Sequence, residues 1–128
     1  PTEIAATLSA ARLSGGHLFV IFEPHTYTRT KALYDNFVTS LLAADTSVIA
    51  DIYAAREDDV YGVSSKMLAE SIRERGGRSI WSGEISGGDD EFLRIVSYTA
   101  AHTGVGDTVI FIGAGDINKA VELIELKH

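Results

Sequence analysis

Apolar positions along the chain switch between two spacings. Leu18-Phe19-Val20-Ile21 is a continuous apolar run leading into Phe22, the length of a buried strand rather than a helix. Thr46 through Tyr53 is rich enough in β-branched and aromatic residues for a second strand, Ser79-Ile80-Trp81 makes a short third, and Thr108-Val109-Ile110-Phe111-Ile112 reads as the cleanest buried strand of all. Between these runs the apolar residues recur every three or four positions. Ile4, Leu8 and Ala11 share one helical face, which Gly15-Gly16 ends. Leu33, Phe37 and Leu41, flanked by Tyr34, Val38 and Leu42, predict one amphipathic helix over about 28–44. Ser64-Ser65 caps a helix whose apolar face is Met67, Leu68 and Ile72, and Gly76-Gly77 ends it. Asp89-Asp90-Glu91 places acids where the helix dipole favours them, ahead of a buried side at Phe92, Val96 and Ala100. A last helix is expected to follow Gly113-Ala114-Gly115-Asp116, with Ile117, Ala120, Val121 and Ile124 inward.

Strand and helix in alternation predict an α/β domain, with a mostly parallel sheet covered on both faces. An order of 3-2-1-4 for the four strands puts the first and fourth side by side. It also brings the loop at 24–30 next to the turn at 113–117. In such sheets ligands sit beyond the carboxyl ends of the strands. The segment after the first strand, Phe22 to Thr30, is therefore where chemistry is expected. Pro24 stops the strand, the next residues open a helix whose first N–H groups attract anions, and Arg29 offers a planar two-pronged donor for a carboxylate or phosphate.

Composition narrows the classes. The 128 residues suit one domain, and 45% hydrophobic residues suffice for one core. With 11 basic against 18 acidic residues, a net charge of −7 argues against a nucleic-acid partner. The absence of cysteine removes disulfides, thiol catalysis and cysteine–zinc sites. No apolar stretch approaches the ~20 residues of a membrane span, so no membrane partner is expected and a cytoplasmic location is the plain reading. The chain starts at Pro1 rather than methionine and reads as a piece of something longer or a trimmed product.

Other candidate chemistry is thin. Gly113-x-Gly115-x-x-Asn118 holds two of three glycines of a dinucleotide fingerprint, but only ten residues follow, too few for the strand and acid that complete it. A tight turn, or a close backbone approach to a loop or ligand, explains the glycines equally well. No Gly-Lys-Ser/Thr occurs, so a P-loop is absent. His17, His25, His102 and His128 lack metal-ligand spacing, and no metal site is expected. His25 stands at the strand end, where either a hydrogen bond to the loop or contact with a ligand would account for it. Glu57, Asp58 and Asp59 read mainly as a solvated loop.

Four blocks carry a resemblance. Phe22-Glu-Pro-His-Thr-Tyr-Thr-Arg-Thr30 resembles the opening motif of the C-terminal domain of Mur ligases of the alanine-adding kind. Pro1-Thr-Glu-Ile-Ala-Ala-Thr7 resembles the segment joining that domain to the central ATPase domain. Asp51-Ile-Tyr-Ala-Ala-Arg-Glu57 and Gly113-Ala-Gly-Asp-Ile117 resemble the second-strand and last-strand motifs, and all four come in family order. The resemblance implies a Rossmann-like three-layer domain that receives the amino acid in a three-domain enzyme. That enzyme would activate UDP-N-acetylmuramate with ATP and Mg and join L-alanine to it in peptidoglycan synthesis. It implies that Arg29 holds a carboxylate, with His25 and Thr26 in the same pocket and Tyr27, Glu57, Gly115 and Asp116 as candidate loop contacts. Thr26 stands where some members carry arginine, leaving only a hydroxyl there. No catalytic residue, ATP site or metal ligand set falls in this chain, so it is expected to be inactive alone. A murein-peptide recycling ligase domain, or a free-standing α/β module for small carboxylates, are the alternatives.

Overall fold

A computed structural model describes residues 2–13 and 15–113. The expected last helix, and Gly115 and Asp116 with it, lie outside the described residues. In chain order the elements are α1 (Thr2–Arg12), β1 (Leu18–Phe22), α2 (Tyr27–Ala32), α3 (Tyr34–Leu41), β2 (Thr46–Ile49), α4 (Ser65–Glu74), β3 (Ser79–Trp81), α5 (Glu91–His102) and β4 (Thr108–Ile112), with a single 3₁₀ turn at Ser82–Glu84. The four strands form one parallel sheet, as the alternating pattern predicts, in the expected order β3-β2-β1-β4.

Side chains alternate across β1, and this divides the core in two. Leu18, Val20 and Phe22 pack with Ile4 and Leu8 of α1, Phe37 and Leu41 of α3, and Leu68 and Ile72 of α4. Phe19 and Ile21 face the other way, against Val48 and against Ile95 and Val96 of α5. Every residue of β1 is buried. β4, expected to be the cleanest buried strand, is only half-buried along its length, because within the four-stranded sheet it is an edge strand with a single neighbour.

Four further expectations are corrected. The helix over 28–44 is two helices, broken at Leu33, whose φ of −110° and ψ of 15° leave the helical region. Leu33 and Tyr34 thereby pack against the first apolar cluster. β2 ends at Ile49 rather than Tyr53, because the Asp51 amide turns to the Glu91 carboxylate (2.8 Å) and leaves the ladder. On α4 the buried positions are Ser65, Leu68, Ala69 and Ile72, while Met67 is exposed. The Ser65 hydroxyl is drawn inward to the Ala50 carbonyl, which rotates the first turn. On α5 the fully buried residues are Ile95, Val96 and Thr99, with Phe92 packed beside them and Ala100 half-buried. Ser64 caps α4 as expected, accepting from the Met67 amide (3.2 Å), and Asp90 caps α5 by accepting from the Leu93 amide (3.1 Å).

Candidate functional site

The chain leaves β1 at Glu23, whose amide still bonds the Ile112 carbonyl of β4 (2.9 Å). It then runs beside the segment that follows β2. Tyr53 donates its amide to the Pro24 carbonyl (2.8 Å) and accepts from the Thr26 amide (2.7 Å), forming an isolated parallel bridge between His25 and Tyr53. This bridge extends the sheet past its regular strands and fixes the 24–30 loop against the 50–57 loop.

At Thr26 the backbone turns sharply, with φ of 61° and ψ of 150°, an uncommon conformation for a β-branched residue. Three bonds hold it. The Thr26 hydroxyl accepts from the Arg29 amide (3.3 Å), its carbonyl accepts from the Thr30 amide (3.1 Å), and the fully buried Thr30 hydroxyl donates to the same carbonyl (2.6 Å). The next group comes from across the gap. The Glu57 carboxylate accepts from the Thr28 amide (3.0 Å) and, through its other oxygen, from the Thr28 hydroxyl. The Thr28 hydroxyl, then the Thr28 and Tyr27 amides, hold Glu57 below the usual carboxylate range.

The first turn of α2 is therefore not an open anion site. Its amides at 28 and 29 are engaged by Glu57 and Thr26, so a protein carboxylate occupies the place expected for a ligand. Arg29 is what remains available. It is exposed, and among the described residues its guanidinium has no hydrogen-bond or ion-pair partner. His25 is exposed as well, and its ring lies against Tyr53 at 5.4 Å between centroids with 19° between planes. Tyr27 is half-buried, and burial first, then the charges of Asp59 and Asp51, push its phenol above the ordinary value. The structure thus brings His25, Thr26, Tyr27, Arg29 and Glu57 to one loop pair. Asp58 and Asp59 are exposed beside it, as a solvated loop should be.

A second network sits farther along the same edge and was not legible as such in the sequence. The Asp51 carboxylate accepts from the Trp81 indole N–H (2.7 Å), while Glu91 receives both the Asp51 amide (2.8 Å) and the Ser82 hydroxyl. Glu91 was expected to serve the helix dipole, but Asp90 is the cap and Glu91 reaches back to the ends of β2 and β3. Burial, more than the nearby Asp51 charge, raises its carboxyl above the usual range. The available signal was the strand order, which places Asp51 and Ser82 at neighbouring strand ends.

A cavity of about 540 Å³ opens at the opposite, amino-terminal edge, lined among others by His17, Thr46, Arg73, Arg78, Tyr98 and His102. Most of its polar groups are spent on one another. His17 Nε2 pairs with the Thr46 hydroxyl (2.8 Å), Arg73 grips Glu84 (3.0 Å) and the Ser79 carbonyl (2.9 Å), and His102 Nδ1 donates to the Tyr98 carbonyl (2.7 Å). Among the described residues no three histidine or acidic side chains converge as metal ligands, and no helix is long and apolar enough to cross a membrane.

No family model matches the chain. Curated relatives do. The UDP-N-acetylmuramate–L-alanine ligase of Caldicellulosiruptor saccharolyticus is 45% identical over 125 residues, 97% of this chain and 26% of the relative. The ligase of the same name from Acetivibrio thermocellus is 43% identical over 125 residues, 96% of this chain and 25% of the relative. That from Clostridium botulinum strain Hall is 42% identical over 124 residues, again 96% and 26%. The chain spans about a quarter of the length of the curated relatives it matches. Identity of 42–45% over nearly all of its residues makes the chain a homologue of one segment of the UDP-N-acetylmuramate–L-alanine ligases, the Mur ligase branch that its four motif blocks resemble.

Proposed function

We propose that residues 1–128 form a single domain, the C-terminal amino-acid-binding domain of a UDP-N-acetylmuramate–L-alanine ligase, and that Arg29 grips the carboxylate of the incoming L-alanine. The observation that carries this reading is the 45% identity over 97% of the chain to a ligase of that name. Geometry supports it in detail. Arg29 projects from a turn fixed on three sides, beyond the carboxyl end of β1, with its guanidinium unengaged among the described residues. A planar fork of that kind matches a carboxylate through two parallel hydrogen bonds. The stacked His25–Tyr53 pair walls the same loop, and Thr26 contributes its hydroxyl to the turn rather than a second cation.

The ligation itself joins an amine to an activated carboxyl. The part of this chain is to bind and orient: with the alanine carboxylate held by Arg29, the amine end is left free to be directed outward at a partner domain. Closing such a domain over the reacting groups supplies proximity and excludes water. The family reaction draws on ATP and magnesium, and this chain does not fit them. It has no Gly-Lys-Ser/Thr, and no three described acidic or histidine side chains converge. ATP, magnesium and UDP-N-acetylmuramate therefore enter the proposal through the central ATPase domain and the remainder of the ligase.

In the full-length ligase carrying this segment, Arg29→Lys is expected to raise the alanine KM by roughly tenfold, since a point charge replaces a fork. Unchanged alanine kinetics would overturn the assignment of Arg29. ATP turnover by the 128-residue chain alone would overturn the domain reading.

A further inference from the structure

We propose that Glu57 is a positioning residue for the Arg29 clamp: anchored on Thr28 from the neighbouring loop, it holds the 26–29 turn in the one geometry that presents the guanidinium to an amino-acid carboxylate. This rests on the reading of Arg29 given above. Glu57 follows β2, while the turn follows β1, 29 residues earlier in sequence. Its two carboxylate oxygens divide between the Thr28 amide and the Thr28 hydroxyl, so the loop is gripped at two atoms of one residue. Thr28 is the residue immediately before Arg29, and Arg29's own amide is tied to Thr26. Rotation of the turn is thus blocked from both sides. Glu57 is itself seated: its amide bonds the Ala54 carbonyl (2.9 Å), and the loop bends at Ala55, whose φ is 56°. The positive φ at Thr26 supplies the need for such a clamp. A β-branched residue held there costs energy, and it persists only where its surroundings enforce it.

The physical consequence is preorganisation. Without the clamp the turn has other conformations to visit, and only the fraction that presents Arg29 correctly binds the amino acid. The loss should therefore fall on alanine binding and leave the other substrates alone. The anchor acts through hydrogen bonds, and a glutamine retains them: its oxygen accepts the Thr28 amide while its NH₂ donates to the Thr28 hydroxyl.

The test uses the full-length ligase carrying this segment, with steady-state KM for each substrate and thermal melting for each variant. Glu57→Ala is expected to raise the alanine KM about tenfold, in line with hydrogen bonds to a charged group, with the KM for ATP and UDP-N-acetylmuramate unchanged. Glu57→Gln should restore most of that loss. Thr28→Val should raise the alanine KM less than Glu57→Ala does, and should add nothing in the Glu57→Ala background, because the hydroxyl contact it removes is one of the two already lost there. A folded Glu57→Ala enzyme with unaltered alanine KM overturns the inference, as does an equal rise for all three substrates. If Glu57→Ala does not fold, Thr28→Val carries the decision alone, and an unchanged alanine KM there is equally fatal. Arg29→Lys in parallel separates the two ideas. Should it leave the alanine KM unchanged, the reading of Arg29 fails; should it raise the KM while the Glu57 and Thr28 variants do not, only the role of Glu57 fails.

Discussion

The two edges of the sheet use the same device and end with different surfaces. At the amino edge, Asp45 accepts from the Leu18 amide (2.7 Å) and from Arg12 (2.6 Å), and Asp107 bridges the amides of His17 (3.1 Å) and Gly104 (3.0 Å). At the carboxyl edge, Glu57 bridges to Thr28 and Glu91 to Asp51 and Ser82. In both places a carboxylate beside one strand end accepts from backbone amides of a neighbouring segment, so that these amides are paired outside the regular ladder. The difference is in what the carboxylates grip. At the amino edge they tie strand beginnings and leave the chain locked. At the carboxyl edge Glu57 ties the turn that carries Arg29 and leaves the cation outside. On the proposed reading, a ligand edge needs no shortage of internal hydrogen bonds; it needs them spent on the residue beside the one that binds.

If that contrast is right, a change at the amino edge should damage stability and spare recognition. Gly16 is the sharpest place to apply it. Its φ is +71°, and a Cβ there would lie 2.0 Å from the Gly106 carbonyl oxygen, a backbone atom that cannot step aside as a side chain would. Gly16→Ala is expected to cost about 3 kcal/mol and lower the melting temperature by roughly 10 °C. Among molecules that remain folded, the alanine KM of the full-length ligase should stay at its original value. A melting temperature within 2–3 °C of the parent, roughly 1 kcal/mol or less, would show that the loops at 16 and 106 move apart at little cost.

The sequence carried the sheet because its strands differ in kind from its helices. The apolar run at 18–22 and the β-branched run at 108–112 fit no helical spacing, and their alternation with helices predicts a parallel sheet, for which the expected order 3-2-1-4 is the one observed. What it could not carry were features decided by contacts across the chain. The stop of β2 at Ile49 depends on Glu91, 40 residues beyond Asp51, and the position of Met67 depends on a hydroxyl at 65 finding Ala50. The candidate site shows the same division. Arg29 was visible from its place after a strand, whereas the role of Glu57 needs the second loop folded against the first. Local rules assign charged loop residues to solvent, and only tertiary placement brings the Glu57 carboxylate onto Thr28.

Acid sharpens the contrast further. Asp45 is held below its ordinary range by Arg12 first and the Leu18 amide next, and Asp107 by the His17 and Gly104 amides. A lowered folded-state value means that the stabilisation is present above the unfolded value and is lost as pH falls through the folded one. The amino edge should therefore weaken below about pH 4, the ordinary aspartate range. Arg12 and Asp45 keep 44% and 34% of their side-chain surface exposed, so solvent screens the pair and Asp45→Asn should cost only about 1 kcal/mol at pH 7. Melting curves from pH 3 to 7 should show the parent and Asp45→Asn converging at the acid end. Parallel curves would mean that the Asp45 charge adds nothing to the fold.

Glu91 is the counter-case and the smallest effect. Burial raises its carboxyl, helped by the charge of Asp51 and opposed by the Ser82 hydroxyl and the Asp51 amide. For an acid whose folded-state value is raised, the sign reverses: the folded form holds its proton more tightly than the unfolded chain. Its contribution is complete below the ordinary glutamate value of about 4.3 and is lost as pH rises through the raised one. Glu91→Gln is neutral throughout, and since the Asp51 amide and the Ser82 hydroxyl reach the same Glu91 oxygen, its amide oxygen can still accept both. Relative to the parent it should be at its worst near pH 4 and recover by pH 8. Melting temperatures of both proteins at those two pH values decide it. An equal gap at pH 4 and pH 8 would show that Glu91 holds its proton no more tightly in the folded chain than in the unfolded one.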